Sequence, residues 1–354
     1  MTQIRASSNG HGLDLVPTRP LVEESIDIRF PLAPGDRVII EEGAPVSIGA
    51  PLAERYRDTI LAQASLPEGQ VGRPGERWTP PEPATRRGPG RPTVRGQGRP
   101  TGGELLFPWR HGWRIASGEH AEALDAPVNG IVRELIPGVH IVVRAEGRAL
   151  RGIVAIGGAT RGRLQLAAGP SGELRPGGLD VGLAGAILVV GARVDAETLT
   201  RARAMGVRGI VVAGLPSKER RDYLASEARQ RAALHRLPPF AVLVLDGAVR
   251  RSIAGPIVAL LEALEGREVA IVADPPALLF DEPDLDLSAP PPDLVRVRSG
   301  RDAGREGRWI ASLGQRRFED GVLLEAAQVR FAEGPAVVPI GDLERFSLRS
   351  ARAE

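Results

Sequence analysis

The run Ala186-Ile187-Leu188-Val189-Val190 decides the fold of the central part of this chain. Every residue in it is apolar, which is typical of a strand that is buried on both faces of a sheet. Similar runs recur at 209–214, 240–245 and 268–272, and helix-like segments separate them. Strands that alternate with helices at this spacing predict a parallel, Rossmann-like α/β sheet over residues 179–278.

The helices of this predicted domain have recognisable beginnings. Asp195 is a suitable N-cap for a helix through Met205, because its short carboxylate can accept a hydrogen bond from the first turn. Ser217 begins a charged helix that extends to about Leu234, and a third helix is predicted over 252–264.

Ligands of parallel sheets bind beyond the carboxyl ends of the strands. The sequence places the residues of a candidate ligand cleft there: Gly191, Gly214, Asp246 and Gly247. Neither a Gly-x-Gly-x-x-Gly pattern nor a Walker loop accompanies them, so no nucleotide is predicted. Tight turns are the alternative explanation of the glycines.

Outward from this domain, the segment 295–309 reads Val-Arg-Val-Arg-Ser-Gly-Arg-Asp-Ala-Gly-Arg-Glu-Gly-Arg-Trp. It predicts a short strand, a tight glycine loop and a second strand. With the strand-like runs that follow, residues 294–347 resemble a KOW motif, the small SH3-like barrel of ribosomal proteins and NusG-type transcription factors. Residues 294–318 carry seven arginines against two acids, a local charge of +5.

The KOW resemblance implies a binding surface on the glycine loop. Four arginine side chains would contact RNA phosphates or a protein partner from this surface: Arg298, Arg301, Arg305 and Arg308. Trp309 lies in the second predicted strand, where it would either pack in the core or stack on a base.

The N-terminal part predicts a β-rich domain over 21–66 and 104–178. Short runs broken by glycines at 26–57, and the later stretch Ala126-Pro127-Val128-Asn129-Gly130-Ile131-Val132, resemble the two halves of a barrel-sandwich hybrid. This is the lipoyl/biotinyl-type fold, which is also found in the C subunits of Rnf-type complexes. The modifiable lysine of the carrier proteins is missing, so a structural barrel is expected, with further strands over 139–168 extending it.

Three segments are predicted to be linkers or tails. Residues 67–103 are rich in Pro, Gly and Arg and are expected to be disordered. Their arginines offer either a nucleic-acid contact, by two Gly-Arg-Pro steps similar to an AT-hook core, or a merely solvated surface: Arg86, Arg87, Arg91 and Arg99. Residues 279–293 predict an acidic, Pro-rich linker, and 1–20 and 348–354 predict flexible ends.

Composition narrows the function further. The chain of 354 residues has no cysteine and a net charge of +2, so neither thiolate chemistry nor a cysteine-ligated metal is available. Its five histidines are scattered without metal-ligand spacing, and no nucleophile elbow is present. No catalytic residue, metal or cofactor is predicted, and neither a signal peptide nor a membrane span is expected.

The sequence therefore predicts a multidomain α+β protein with three modules: a barrel-sandwich-like domain, a Rossmann-like domain and an SH3-like barrel. We expect a non-enzymatic cytoplasmic adaptor or scaffold that binds a protein or a nucleic acid, RNA more readily than DNA. The alternatives are a small-ligand-binding subunit that uses the α/β strand ends, and an accessory subunit of a redox or carrier complex.

Overall fold

A computed structural model gives the fold and describes residues 12–33, 35–55, 61–66, 71–73, 76–79, 103–109, 112–116, 122–233, 237–281, 285 and 287–349. The chain divides into two compact units. The larger unit comprises Met1–Ile28 with Ala145–Glu354, and the smaller unit comprises Arg29–Arg144. The fold is β-rich and of the α+β class, with one large mixed sheet.

Strands are the commonest regular element of the described residues. The first twelve are β1 (Thr18–Glu24), β2 (Asp27–Pro31), β3 (Arg37–Val38), β4 (Pro45–Val46), β5 (Pro51–Arg55), β6 (Leu61–Ala64), β7 (Arg77–Trp78), β8 (Gly103–Trp109), β9 (Gly112–Ala116), β10 (Glu122–Asp125), β11 (Gly130–Ile136) and β12 (His140–Ala145). Ten more follow: β13 (Arg148–Arg151), β14 (Val154–Gly157), β15 (Thr160–Leu166), β16 (Glu173–Leu174), β17 (Ala186–Val189), β18 (Arg193–Val194), β19 (Gly209–Gly214), β20 (Ala241–Gly247), β21 (Glu268–Ala273) and β22 (Pro276–Phe280). The last five are β23 (Leu294–Val297), β24 (Glu306–Arg317), β25 (Leu323–Phe331), β26 (Gly334–Pro339) and β27 (Leu343–Arg349).

The α-helices of the described residues are α1 (Ala196–Ala204), α2 (Ser217–Ala233) and α3 (Gly255–Ala263). The predicted N-cap of α1 is confirmed, because the Asp195 carboxylate accepts a hydrogen bond from the Thr198 amide at 2.7 Å. This contact satisfies one of the amides that a helix leaves unpaired at its start.

Four neighbouring strands run parallel in the large sheet. β15 pairs with β17, β17 with β19, and β19 with β20. The parallel pairing predicted for the three apolar runs from 186 to 245 is therefore confirmed. Their residues face two cores in turn, and each core lies on one face of the sheet.

The two cores explain why these strands are apolar without interruption. Leu188 and Val212 point to the face covered by α1 and α2, where Tyr223 is buried. Ile187 and Val211 point to the opposite face and pack in the same core as Leu260 and Leu261 of α3. A polar residue at any of these strand positions would lose water without gaining a partner.

The fourth predicted strand departs from the expectation. β21 is antiparallel to both β15 and β22, so the prediction that it continues the parallel set is wrong. A two-residue connection joins β21 to β22, and a connection that short can link only antiparallel neighbours. The sheet is consequently mixed rather than purely parallel.

Of the strands predicted over 139–168, β12 lies beside β11 in a sheet of the smaller unit, as expected, but the later ones lie elsewhere. β13 pairs with β22, β14 with β20, and β15 with β17 and β21, all in the large sheet of the larger unit. Strand alternation predicts that these segments are strands, but it does not choose between sheets, because pairing depends on partners more than 80 residues away along the chain.

The C-terminal strands continue the same sheet. β27 pairs with β1 and β23, and the path runs on through β24 and β25 to β26. Their own core contains Val295, Val297, Val329, Phe331 and the buried ring of Trp309. The interpretation of Trp309 as a core residue is confirmed, and base stacking by this side chain is not available.

The described residues of the smaller unit form three sheets, with the strand orders β2-β12-β11-β4, β10-β5-β3 and β6-β9-β8-β7. β4 pairs with β11, and β5 pairs with β10, so the two N-terminal stretches predicted to be matching halves do meet. Gly130 is required where β11 approaches β12, because a Cβ there would lie 2.2 Å from the Arg144 carbonyl oxygen.

Part of the segment predicted to be disordered is ordered. Arg77–Trp78 forms β7 and pairs with the first residues of β8. Trp78 packs with Leu105 and Ile115 in a small apolar cluster, and burial of that ring stabilises a strand that composition alone argued against.

Candidate functional site

The glycine loop between β23 and β24 is closed by backbone hydrogen bonds. The Gly304 amide donates to the Val297 carbonyl at 2.7 Å, and the Val297 amide donates to the Arg305 carbonyl at 2.9 Å. Gly300 and Gly304 have φ of 80° and 96°, a left-handed conformation that glycine adopts without strain. The predicted tight turn is confirmed. It carries Arg298, Arg301 and Arg305, whereas Arg308 lies in β24 opposite Leu294, at the other end of β23.

Arg305 is engaged within the protein. Its guanidinium contacts Asp302 at 2.8 Å and Glu333 at 2.6 Å, and it lies 4.2 Å from the centre of the Phe331 ring. Two hydrogen bonds raise the pKa of Arg305 above its ordinary value. The bond to Asp302 has the larger effect, and the bond to Glu333 has the smaller. A phosphate that approached this side chain would compete with both carboxylates.

The other three arginines of the predicted set differ in their surroundings. Arg308 Nη1 donates to both carboxylate oxygens of Asp293, at 3.1 and 3.0 Å. Arg298 and Arg301 are exposed to solvent. The structure thus separates the predicted set into two arginines that are paired with acids and two that face water.

The arginines of the insert, Arg86, Arg87, Arg91 and Arg99, lie outside the described residues. Their role as a nucleic-acid contact stays a prediction.

Asp246, predicted to belong to a ligand cleft, is the centre of a buried ion cluster. Its side chain is 4% exposed, and its two oxygens accept hydrogen bonds from Arg19 Nη1 at 2.8 Å and from Arg296 Nη1 at 3.0 Å. Both carboxylate oxygens of Asp246 are therefore engaged by donors of the protein itself. Asp246 holds β20, β1 and β23 together.

Arg296 makes further contacts within this cluster. Its side chain is fully buried, and its Nη2 donates to the Ser252 carbonyl at 2.6 Å. Its Nη1 lies 3.5 Å from a Glu344 oxygen, and its Nε lies 3.9 Å from Glu306. Burial raises the pKa of Glu344 above its ordinary value, and the charges of Arg19 and Arg296 oppose that rise.

The three glycines of the predicted cleft have structural roles. A Cβ at Gly191 would lie 2.3 Å from the Gly169 carbonyl oxygen, and one at Gly214 would lie 2.3 Å from the Val249 carbonyl oxygen. Gly247 has φ of 106° and no atom within 4 Å of its Cβ position. Close backbone approach at two positions and a left-handed turn at the third account for these glycines.

Two adjoining cavities lie beside α3, at other residues. Their volumes are about 370 and 270 Å³. They share the lining residues Pro170, Ile253, Val258 and Glu262, and we call them together the α3 groove. The sequence offers no signal for this groove beyond the general rule that strand ends make clefts.

A third feature is the hairpin of β24 and β25. β25 pairs with β24 from Leu323 onward, whereas its pairing with β26 begins only at Ala326. The outer part of the hairpin, residues 314–325, is thus a two-stranded ribbon, which we call the apolar hairpin. Its exposed apolar residues are Val322, Leu323 and Leu324, with 47%, 53% and 38% of their surface accessible.

Sequence reasoning missed the role of Arg296 and the exposure of the hairpin leucines. Arg296 alternates with buried Val295 and Val297, so strand alternation predicts that its side chain faces water with the other arginines. Leu323 and Leu324 have the pattern of ordinary strand residues. Their exposure follows from the extension of the β24–β25 hairpin beyond the core of the C-terminal strands, in which neither residue takes part.

Within the described residues, no group of three or more His, Asp or Glu side chains could hold a metal ion. No helix in the part of the chain that the structure describes is both long and apolar enough to cross a bilayer. The comparisons with known proteins show no matching family model, no matching curated protein and no matching solved structure.

Proposed function

We propose that this protein is a non-enzymatic cytoplasmic adaptor that binds a protein partner through the apolar hairpin of its C-terminal module. In this proposal the C-terminal strands form a KOW-like, SH3-type barrel, the central strands form a Rossmann-like domain, and the smaller unit is a barrel-sandwich-like domain. The observation that carries the proposal is the exposure of three consecutive apolar residues, Val322–Leu324, on an unflanked ribbon.

The backbone of the ribbon supports strand addition by a partner. Along residues 323–325, β25 has β24 on one side and, within the described residues, no strand on the other. Such an edge offers amide and carbonyl groups to an extended segment, and alternate side chains supply specificity. The occupant we infer is an extended apolar segment of another protein.

Charge on the same module favours a protein over a nucleic acid. Arg305 and Arg308 are paired with acids of the same module or of the adjoining linker. The hairpin itself carries Arg316 and Arg317 beside Glu319, Asp320 and Glu325, so its sign is mixed. A phosphate backbone is bound by a surface of one sign, which this ribbon lacks.

RNA binding is the second candidate, because Arg298 and Arg301 are both exposed on the glycine loop. In that case the affinity would fall only moderately with salt, because about two phosphate contacts would set the slope. DNA is a weaker candidate, since the KOW motif that residues 294–347 resemble implies contact with RNA.

The test compares full-length wild type with Leu323→Asp and with a matched control, Val249→Asp. Val249 is 58% exposed and lies in the loop after β20, so its variant adds the same charge elsewhere. The candidate partner is a protein that is recovered with wild type and with the control but not with Leu323→Asp. This partner is then purified and titrated against each of the three proteins. We expect direct binding to weaken at least about tenfold, because a charge would enter an apolar contact.

The same three proteins and an Arg298→Ala/Arg301→Ala variant are titrated with labelled RNA and duplex DNA over a salt series. Salt-sensitive RNA binding that only the double arginine variant weakens would move the function to the second candidate. Equal recovery of every protein partner by Leu323→Asp and wild type would overturn the adaptor proposal.

A further inference from the structure

The α3 groove lies at the carboxyl ends of two parallel strands. Leu166 is the last residue of β15 and Val189 the last of β17, and both line the smaller cavity. Ligands of parallel sheets bind at this end, in the crevice that forms between the loops leaving the strands. The general rule about strand ends therefore leads to a different group of residues from those that the sequence suggested.

The inner wall of the groove is apolar. The smaller cavity, of about 270 Å³, is lined by Leu166, Ala167, Val189, Ile253 and Leu261 among others. A volume of this size suits a short aliphatic chain or a single ring, and binding would remove that surface from water.

The polar groups of the groove are acidic. Glu262 lines both cavities, and Glu306 lines the outer one; among the described lining residues none is Lys, Arg or His. Glu306 already accepts a hydrogen bond from the Gly255 amide at 2.8 Å and lies 3.9 Å from Arg296. Glu262 is exposed at the junction of the cavities, where it can meet a ligand.

The helix adds to the negative potential at this junction. Glu262 lies in the last turn of α3, which contains no basic residue. The carboxyl end of a helix carries a partial negative charge, so it favours a cation beside it. At the other end of α3, the Glu306 carboxylate already accepts a hydrogen bond from the Gly255 amide, and its negative charge opposes binding of an anion there.

We propose that the α3 groove binds a small organic amine, with its ammonium group at Glu262 and its apolar body in the cavity lined by Val189 and Leu261. The apolar wall alone would accept any short hydrocarbon chain. The carboxylate and the helix end then discriminate by charge, against acids and in favour of amines. The inference goes beyond the adaptor function and does not depend on it.

The experiment is isothermal titration of the full-length protein at pH 7 with three probes of equal length: hexylamine, hexanol and hexanoate. Hexylamine carries a positive charge at this pH, as lysine does. We expect hexylamine to bind more tightly than hexanol, and hexanoate to bind most weakly. The same titrations are then made on Glu262→Gln and on a matched control, Glu197→Gln, an exposed glutamate in α1.

Glu262→Gln keeps the shape of the groove and removes its charge. We expect it to weaken hexylamine about threefold to fivefold, the range of an exposed ion pair, and to leave hexanol unchanged. A second variant, Val258→Phe, fills the space between the two cavities and should abolish binding of hexylamine and hexanol alike.

Three outcomes would overturn the inference: no heat with any probe at millimolar concentration, equal affinities for hexylamine and hexanoate, or the same loss in Glu197→Gln as in Glu262→Gln. None of these outcomes bears on the apolar hairpin, since no groove residue lies in it. The adaptor proposal can therefore fail while the groove binds amines, or the reverse.

Discussion

Arg296 Nη1 donates a hydrogen bond to Asp246 Oδ2 at 3.0 Å, and both side chains are almost completely buried. The two residues are 50 positions apart and belong to β23 and β20. Their contact ties the C-terminal strands to the end of the parallel strands. Arg19 of β1 completes the cluster from the far end of the chain.

The first prediction concerns this cluster. Asp246→Ala should lower the free energy of unfolding by about 3–5 kcal/mol, because it leaves a buried arginine without its main counter-charge. Urea denaturation, followed through the unfolding transition of the larger unit, measures the change in free energy. Asp222→Ala is the control, since it breaks only an exposed pair with Lys218 and should leave the free energy of unfolding nearly unchanged. Similar losses in the two variants would contradict the role of the cluster.

The second prediction follows from the raised pKa of Glu344, which burial causes. A raised pKa in the folded state means that the folded protein holds this proton more tightly than the unfolded chain. The contribution to stability is therefore present below the ordinary value of 4.5 and is lost as the pH rises through the folded pKa.

Glu344→Gln should accordingly gain stability relative to wild type as the pH rises above 4.5, and the gain should disappear below it. Denaturant titrations at pH 4 and pH 7 measure the difference. Glu319→Gln, at the exposed turn of the hairpin, corrects for the loss of one negative charge from the protein as a whole. A Glu344→Gln curve parallel to that of wild type would contradict the prediction.

The third prediction separates two kinds of glycine. Gly191→Ala combines a φ of 76° with a Cβ only 2.3 Å from a carbonyl oxygen, so the backbone of the neighbouring loop must move. Gly185→Ala has a φ of 82° and open space around the Cβ, so it meets backbone strain alone, about 1–2 kcal/mol. We expect Gly191→Ala to lose clearly more stability than Gly185→Ala, and thermal denaturation of the two variants measures the difference. Equal losses would leave another explanation, such as ligand contact, for Gly191.

The fourth prediction tests the cap of α1. Asp195→Ala should cost about 1 kcal/mol, because the Thr198 amide loses its acceptor. Asp195→Asn keeps an acceptor oxygen and should retain most of that stability. Urea denaturation of both variants checks the cap, and an equal loss in the two would show that charge rather than the hydrogen bond matters.

Short-range features of this chain are predictable from its sequence alone. Asp195 caps α1, and the loop from Gly300 to Gly304 turns tightly, because both depend on residues within a few positions of each other. The apolar runs at 186–190 and 209–214 predict strands covered on both faces, and the two cores beside them confirm it. Periodicity reports local conformation and burial reliably when a segment is uninterrupted.

Long-range pairing is decided only by the tertiary structure. β21 reverses direction relative to the parallel set, and β14 joins β20 instead of the N-terminal strands, because strand alternation is the same in every sheet. Trp78 converts a Gly- and Pro-rich segment into a strand through an apolar contact with Leu105 and Ile115.

By itself, the sequence determined the uninterrupted apolar strands, the cap of α1 and the turn of the glycine loop, and that no cysteine chemistry is available. The tertiary structure alone decided which charges are paired inside the protein and which face solvent. Arg296 and Arg301 look alike in the sequence, yet the first is buried against Asp246 and the second faces water. The physical reason is that the electrostatic role of an arginine depends on the solvent and the carboxylates around it, and residues distant in the chain supply both.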